Sequence, residues 1–304
     1  MLKVEVFMID KIKLYTLKLD QEELVVYNEY NNKMILTETK FYDYVQKNYL
    51  LLKDSPLHDF LYSKKKKKIL EFQIFKVDIN ISKLNKILPV FKYLNSKMLV
   101  VISILMIFFN SKNNVNSNEE IIFNYDNLKT VIFLVICQFI ISGMHELSHL
   151  YVYSKNIDIK KVSMGISLRY LCLPLIFINV PFMNYMKKDS KLALISAGIK
   201  CQIIILGVSS LIGIFFYNEY LTLFNIMNLS IIILNGIPFL KMDGYWYIST
   251  LLSVDDYMET YFSYFLKKAK VSKKIMLIGT LNICIIFLTV IYNIHLVIDY
   301  VIRG

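Results

Sequence analysis

Thr130-Val-Ile-Phe-Leu-Val-Ile-Cys-Gln-Phe-Ile-Ile-Ser142 carries no charge and runs straight into Gly143-Met-His-Glu-Leu-Ser-His-Leu150. On a helix His145 and His149 are one turn apart, so both imidazoles project from one face toward one metal ion. Glu146, beside the first of them, can reach a metal-activated water as a general base. Two of the chain's four histidines fall in this register. A soluble metal enzyme would carry such a helix inside a globular domain. Here it ends an apolar segment suited to a bilayer.

The composition agrees with that setting. The 304 residues are 56% hydrophobic, and the mean hydropathy is +0.47. That exceeds an ordinary soluble domain and fits a polytopic membrane protein with some soluble mass. The net charge of +11 is carried mostly by lysine. Because the lysines flank apolar segments, the expected partner of this charge is the lipid bilayer and not nucleic acid. Cys137, Cys172, Cys201 and Cys284 are scattered with no C-x-x-C spacing, which argues against a disulfide framework or a cysteine metal site. Residues 1–20 contain charges throughout and no apolar core, so no cleavable signal peptide is expected.

Residues 1–87 read as a small α+β domain. Val4-Glu-Val-Phe-Met-Ile and Leu24-Val-Val-Tyr-Asn are expected strands, and Asn31-Asn32 is a turn into a returning strand from Lys33. A helix is expected from Thr37 or Thr39 onward. Lys64 to Lys68 are five consecutive lysines, read as a solvated run.

From residue 88 to 304 the chain reads as an α-helical membrane domain of about five spans. They are expected near 96–110, 130–153, 192–217, 220–240 and 275–301. Segment 157–183 alternates and then meets Pro174 and Pro181, so strands or a re-entrant hairpin are expected there. Unpaired backbone cannot face lipid, so this piece should pack on protein at the membrane surface or line a wet cavity. Lysine and arginine crowd the segments before the first span, between the second and third, and between the fourth and fifth. That alternation puts residues 1–87 in the cytoplasm, and His145 and His149 near the cytoplasmic end of their span.

Two histidines do not hold a catalytic zinc, which needs a third protein ligand and an open position. The fourth span ends in Asn235-Gly-Ile-Pro-Phe-Leu-Lys-Met-Asp-Gly-Tyr-Trp246. Asp243 falls just past it on the cytoplasmic side, at the depth of the histidine pair, and is the candidate third ligand.

These two motifs together resemble the site-2 protease family of intramembrane zinc metalloproteases. His145-Glu146-x-x-His149 is similar to its first motif and Asn235-x-x-Pro238-x-x-x-x-Asp243-Gly244 to its second. Ala197-Gly198 looks like the family's Ala-Gly-Pro element, and the resemblance covers about 129–250. It implies Zn²⁺ bound by His145, His149 and Asp243, with Glu146 as catalytic base and Asn235 holding the substrate strand. Ile199 and Leu240 stand where the family often has proline, and Lys200 near a span start is unusual. Under 40 residues separate the second and third spans, too few for the PDZ domain of some members. The Met-Asp-Gly-Tyr-Trp ending resembles a subgroup of short members found beside bacterial peptide and bacteriocin genes. Residues 23–47 loosely resemble winged-helix domains that bind leader peptides.

The implied activity is cleavage of a bacterial peptide precursor or a membrane-anchored protein near the cytoplasmic face, with a peptide exporter as a further partner. A second reading from another class is a non-catalytic membrane component of a peptide export or immunity system. Intact Glu146 counts against it, since a binder has no use for the base. Trp246 reads as an interfacial anchor, and His295 and Asp299 as a structural pair one turn apart. His58 reads as an exposed loop residue, and Gln138 and Gln202 as interhelical hydrogen-bonding residues.

Overall fold

A computed structural model describes residues 2–9, 12–19, 23–38, 40–41, 44–45, 56–63, 71–114, 128–169, 173–216, 218–266 and 270–303. Lys64–Lys68 and Cys172 lie outside them, as do Thr39, Tyr42, Asp43 and Gln46 of the helix expected after Thr37 and the side chains of His295 and Asp299; Phe41, Tyr44 and Val45 are helical. The chain falls into two compact units, Met1–Ile232 and Ile233–Gly304.

The first unit opens with four strands, β1 (Leu2–Ile9), β2 (Ile12–Lys18), β3 (Glu23–Asn28) and β4 (Lys33–Glu38), then a short helix α1 (Pro56–Tyr62) and β5 (Glu71–Asn80). β1 to β4 form an antiparallel meander. The β3–β4 turn is the expected one, with Asn32 at φ 60°, a left-handed conformation that asparagine tolerates well. Thr37 and Glu38 do not open a helix. They extend β4, because Thr37 pairs with Leu24 and Glu38 with Glu23.

β2 and β3 are buried on both faces. Leu14 and Val26 face Phe60 and Leu61 of α1. Tyr15, Leu17, Val25 and Tyr27 share a second core with Leu150, Tyr153, Ile157, Phe182 and Leu194. That core joins residues on both sides of position 87 and fastens the meander to the histidine-bearing helix. Each fully buried Leu or Ile there contributes roughly 1.5–3 kcal/mol.

After β5 come a short helical segment, Leu88–Leu94, and helix α2 (Lys97–Asn114). Helix α3 (Leu128–Asn156) carries the histidines; then follow β6 (Ile157–Asp158), β7 (Lys161–Arg169), β8 (Leu173–Ile178) and helix α4 (Lys188–Phe215). The expected strands at 157–183 are present. β6 adds to the meander in parallel beside β1, while β7 pairs antiparallel with both β5 and β8. Half-buried ion pairs link the two sheets. Glu29 meets Lys76 at 2.6 Å and Lys13 at 3.2 Å, and Asp78 meets Lys13 at 2.8 Å. Burial alone would raise the Glu29 carboxyl, but Lys76 and Lys13 outweigh it and hold it below its ordinary value.

α3 and α4 are long and apolar enough to cross a membrane. The pair Leu88–Leu94 and Lys97–Asn110, bent by 61°, makes a third candidate span if it is one unit. Val131, Ile132, Val135 and Ile136 on α3, and Val208, Leu211 and Ile212 on α4, stay exposed, as a lipid-facing stripe would. Helix α5 (Glu219–Gly236) follows, and its last residues begin the second unit.

The second unit contains helices α6 (Asp243–Leu251), α7 (Tyr257–Phe265) and α8 (Lys273–Arg303). Asp256 caps α7 by accepting from the backbone N–H groups of Met258 and Glu259, each at 3.0 Å. α5 and α8 are helical where the fourth and fifth spans are expected, but among the described residues two helices, or three with the bent pair, are long and apolar enough to cross a membrane, and five spans are not shown.

Candidate metal centre

α3 stays helical through residues 145–149, so the one-turn spacing brings the two imidazoles together. Their ring centroids are 4.7 Å apart, and their Nε2 atoms 3.0 Å apart. His149 Nδ1 lies 2.7 Å from the Leu194 carbonyl oxygen. A carbonyl only accepts, so this nitrogen carries the proton and Nε2 keeps its lone pair. His145 Nδ1 lies 3.0 Å from Gln202 Oε1, which fixes the same tautomer. Two lone pairs are thereby turned toward one point. Nitrogens each ~2.0–2.1 Å from a tetrahedral zinc sit about 3.3 Å apart, close to the spacing seen.

The helix that supplies those acceptors must come close. Ala197-Gly198 makes the approach possible: a Cβ at Gly198 would run into the His145 ring. Ser148 Oγ donates to the Ala197 carbonyl at 2.9 Å and accepts from Asn95 Nδ2 at 2.8 Å. The Leu88–Leu94 bend, α3 and α4 are thus pinned together at the level of the histidines. His145 is buried and His149 partly buried.

Glu146 faces β8. Its Oε2 accepts from the backbone N–H of Ile178 at 3.0 Å, and Ser142 Oγ, one helical turn earlier, accepts from Ile176 N–H at 3.1 Å. The β8 edge turned away from β7 therefore lies along α3 and orients the carboxylate.

In the second unit Asp243 is the first residue of α6. Gly244 follows it because a Cβ there would collide with the Gly236 carbonyl. The loop between them is braced by Tyr257, whose hydroxyl donates to the Pro238 carbonyl at 2.8 Å and accepts from Asn282 at 2.7 Å. Asn235 is buried. Among the described residues, one group of three side chains could hold a metal ion: His145, His149 and Asp243, with one ligand atom from each within 4.8 Å of the others. Two imidazole nitrogens and a carboxylate oxygen are a catalytic zinc donor set, so the residues fit the ion.

No family model matches the chain, and no solved structure matches it. A curated relative does: YydH of Bacillus subtilis (strain 168), named "Putative peptide zinc metalloprotease protein", is 24% identical over 233 residues, which cover 74% of this chain and 86% of the relative. The chain is similar to a peptide zinc metalloprotease. That likeness agrees with the resemblance carried by the two motifs, and with a zinc-dependent peptidase as the class of enzyme to expect.

The sequence singled out Gln202 as an interhelical residue but not as the partner of His145. Leu194 and Ile178 act through their backbones, so no side-chain pattern marks them. Gln202→Leu is expected to weaken metal affinity by about 10–100-fold, the usual cost of losing an outer hydrogen bond to a metal-binding histidine. Titration with a competing chelator measures it. Unchanged affinity would mean that Gln202 does not orient the ring.

Proposed function

We propose that this chain is an intramembrane zinc endopeptidase of the site-2 protease kind. The observation that carries the proposal is the convergence of His145, His149 and Asp243, with Glu146 beside the first histidine. In this reading the three side chains hold zinc. When bound, zinc supplies a water acidified to a pKa of about 7 and polarises the peptide carbonyl. Glu146 takes the proton from the attacking water and can return it to the leaving amine. The Ile178 amide and the Leu194 and Gln202 oxygens keep base and ligands in register. Asn235 holds the substrate strand.

The substrate proposed is a bacterial peptide precursor or membrane-anchored protein, cut near the cytoplasmic face during peptide or bacteriocin maturation. About five spans cross the bacterial cell membrane in this scheme, with residues 1–87 in the cytoplasm as a substrate-selecting domain and a peptide exporter receiving the product. The test is to incubate purified protein with any peptide precursor found encoded beside its gene and map the products by mass spectrometry. Cleavage that stops with a zinc chelator supports the proposal. Binding without cleavage would favour the non-catalytic export or immunity component.

Orientation has its own test. A reporter active only outside the cell is expected to be silent when fused at residue 80 and active near residue 118. The opposite pattern would put residues 1–87 outside and remove cytoplasmic delivery of the peptide.

A further inference from the structure

An open cavity of about 800 Å³ lies within the first unit, away from the histidines. Two candidate spans meet at it. One wall is the last turn of α3, ending in Lys155, and another is the segment leading into α2, which carries Lys92. The outer wall is the chain leaving α3, with Lys160 and Lys161. Leu88 and Ile157 form a buried apolar floor, while all four lysines are exposed at the rim. Asp158 is the one carboxylate in the lining. None of the four lysines has an ion-pair partner among the described residues. Lys155 Nζ instead lies over the Tyr151 ring, 5.7 Å from its centroid.

We propose that this cavity binds the phosphate headgroup of an anionic membrane lipid. Its place argues for a lipid source. α3 has 29 residues, and at ~1.5 Å per residue it is longer than the hydrocarbon core, so its Lys155 end reaches the headgroup layer. The same layer receives the start of the neighbouring span, with Lys92. Four ammonium groups around an apolar floor match a phosphate joined to acyl chains. A soluble phosphate would gain nothing from the floor. The volume suits one headgroup, within the usual range for small-ligand sites. A lipid there would brace the end of α3 that carries the histidine pair. The proposal does not depend on zinc or on catalysis.

The test uses full-length protein in nanodiscs of zwitterionic lipid doped with phosphatidylglycerol, released and weighed by native mass spectrometry. Wild type is expected to keep phosphatidylglycerol in preference to the zwitterionic lipid. Lys155→Gln with Lys160→Gln should weaken that retention by about fivefold per lysine, given the usual worth of a basic residue at an anionic membrane surface. Lys129→Gln with Lys187→Gln removes the same charge near other helix ends, outside the cavity, and should retain lipid as wild type does. Equal melting temperatures for the two variants would show that both are folded. Three results would overturn the proposal: no preference for phosphatidylglycerol in wild type, equal loss in both variants, or full displacement by inorganic phosphate or an acidic peptide at matched charge.

Discussion

A Glu146→Gln variant is expected to keep its zinc and lose cleavage by about 10²–10⁴-fold, the usual contribution of a general base. Glutamine has the size of glutamate, and its side-chain carbonyl can still accept from the Ile178 amide that Glu146 Oε2 engages at 3.0 Å. What it cannot do is take a proton from water. The measurements are zinc per chain and the rate of product formation, parent against variant. A variant that loses rate together with zinc would show instead that the carboxylate is needed to hold the metal site together. One that holds zinc and still processes peptide at the parent rate would remove Glu146 from the chemistry and favour the binding component.

The second large effect concerns the ligands. His149→Ala and Asp243→Ala should each lose most bound zinc, because a site of three protein ligands reduced to two no longer holds the ion firmly. His58→Ala should keep it: that ring stacks against Tyr62 at 5.0 Å and lies outside the three-residue group. Full metal and full activity in Asp243→Ala would show that another residue is the third ligand.

The histidine pair was legible because a helical period of 3.6 turns a four-residue spacing into a shared face. Asp243 stood out through the motif around it, although nearly a hundred residues of chain separate it from His149. Other parts were not. β2 has no alternation to read, since Leu14, Tyr15, Thr16 and Leu17 are all buried, two on each side of a strand covered on both faces. β5 alternates better, but its partner β7 is far away in sequence and the register shifts between Gln73 and Phe75. Strands assembled from such distant segments leave no local signal of their pairing. Of the two helix starts expected, the one at Thr37 is excluded, because threonine caps helices but also suits a strand and pairing with β3 decided the matter; the chain is helical later, at Phe41, Tyr44 and Val45. Gly198 could be noticed in sequence. That it clears room for the His145 ring is visible only once α3 and α4 are packed.

X-ray absorption at the zinc edge of the purified protein reads the donor set itself. About one zinc per chain is expected, with a shell of nitrogen and oxygen only, imidazole scattering from two histidines at about 2.0–2.1 Å, and no sulfur. Protein free of zinc after purification in its presence, or a sulfur shell at about 2.3 Å, would contradict the site of His145, His149 and Asp243.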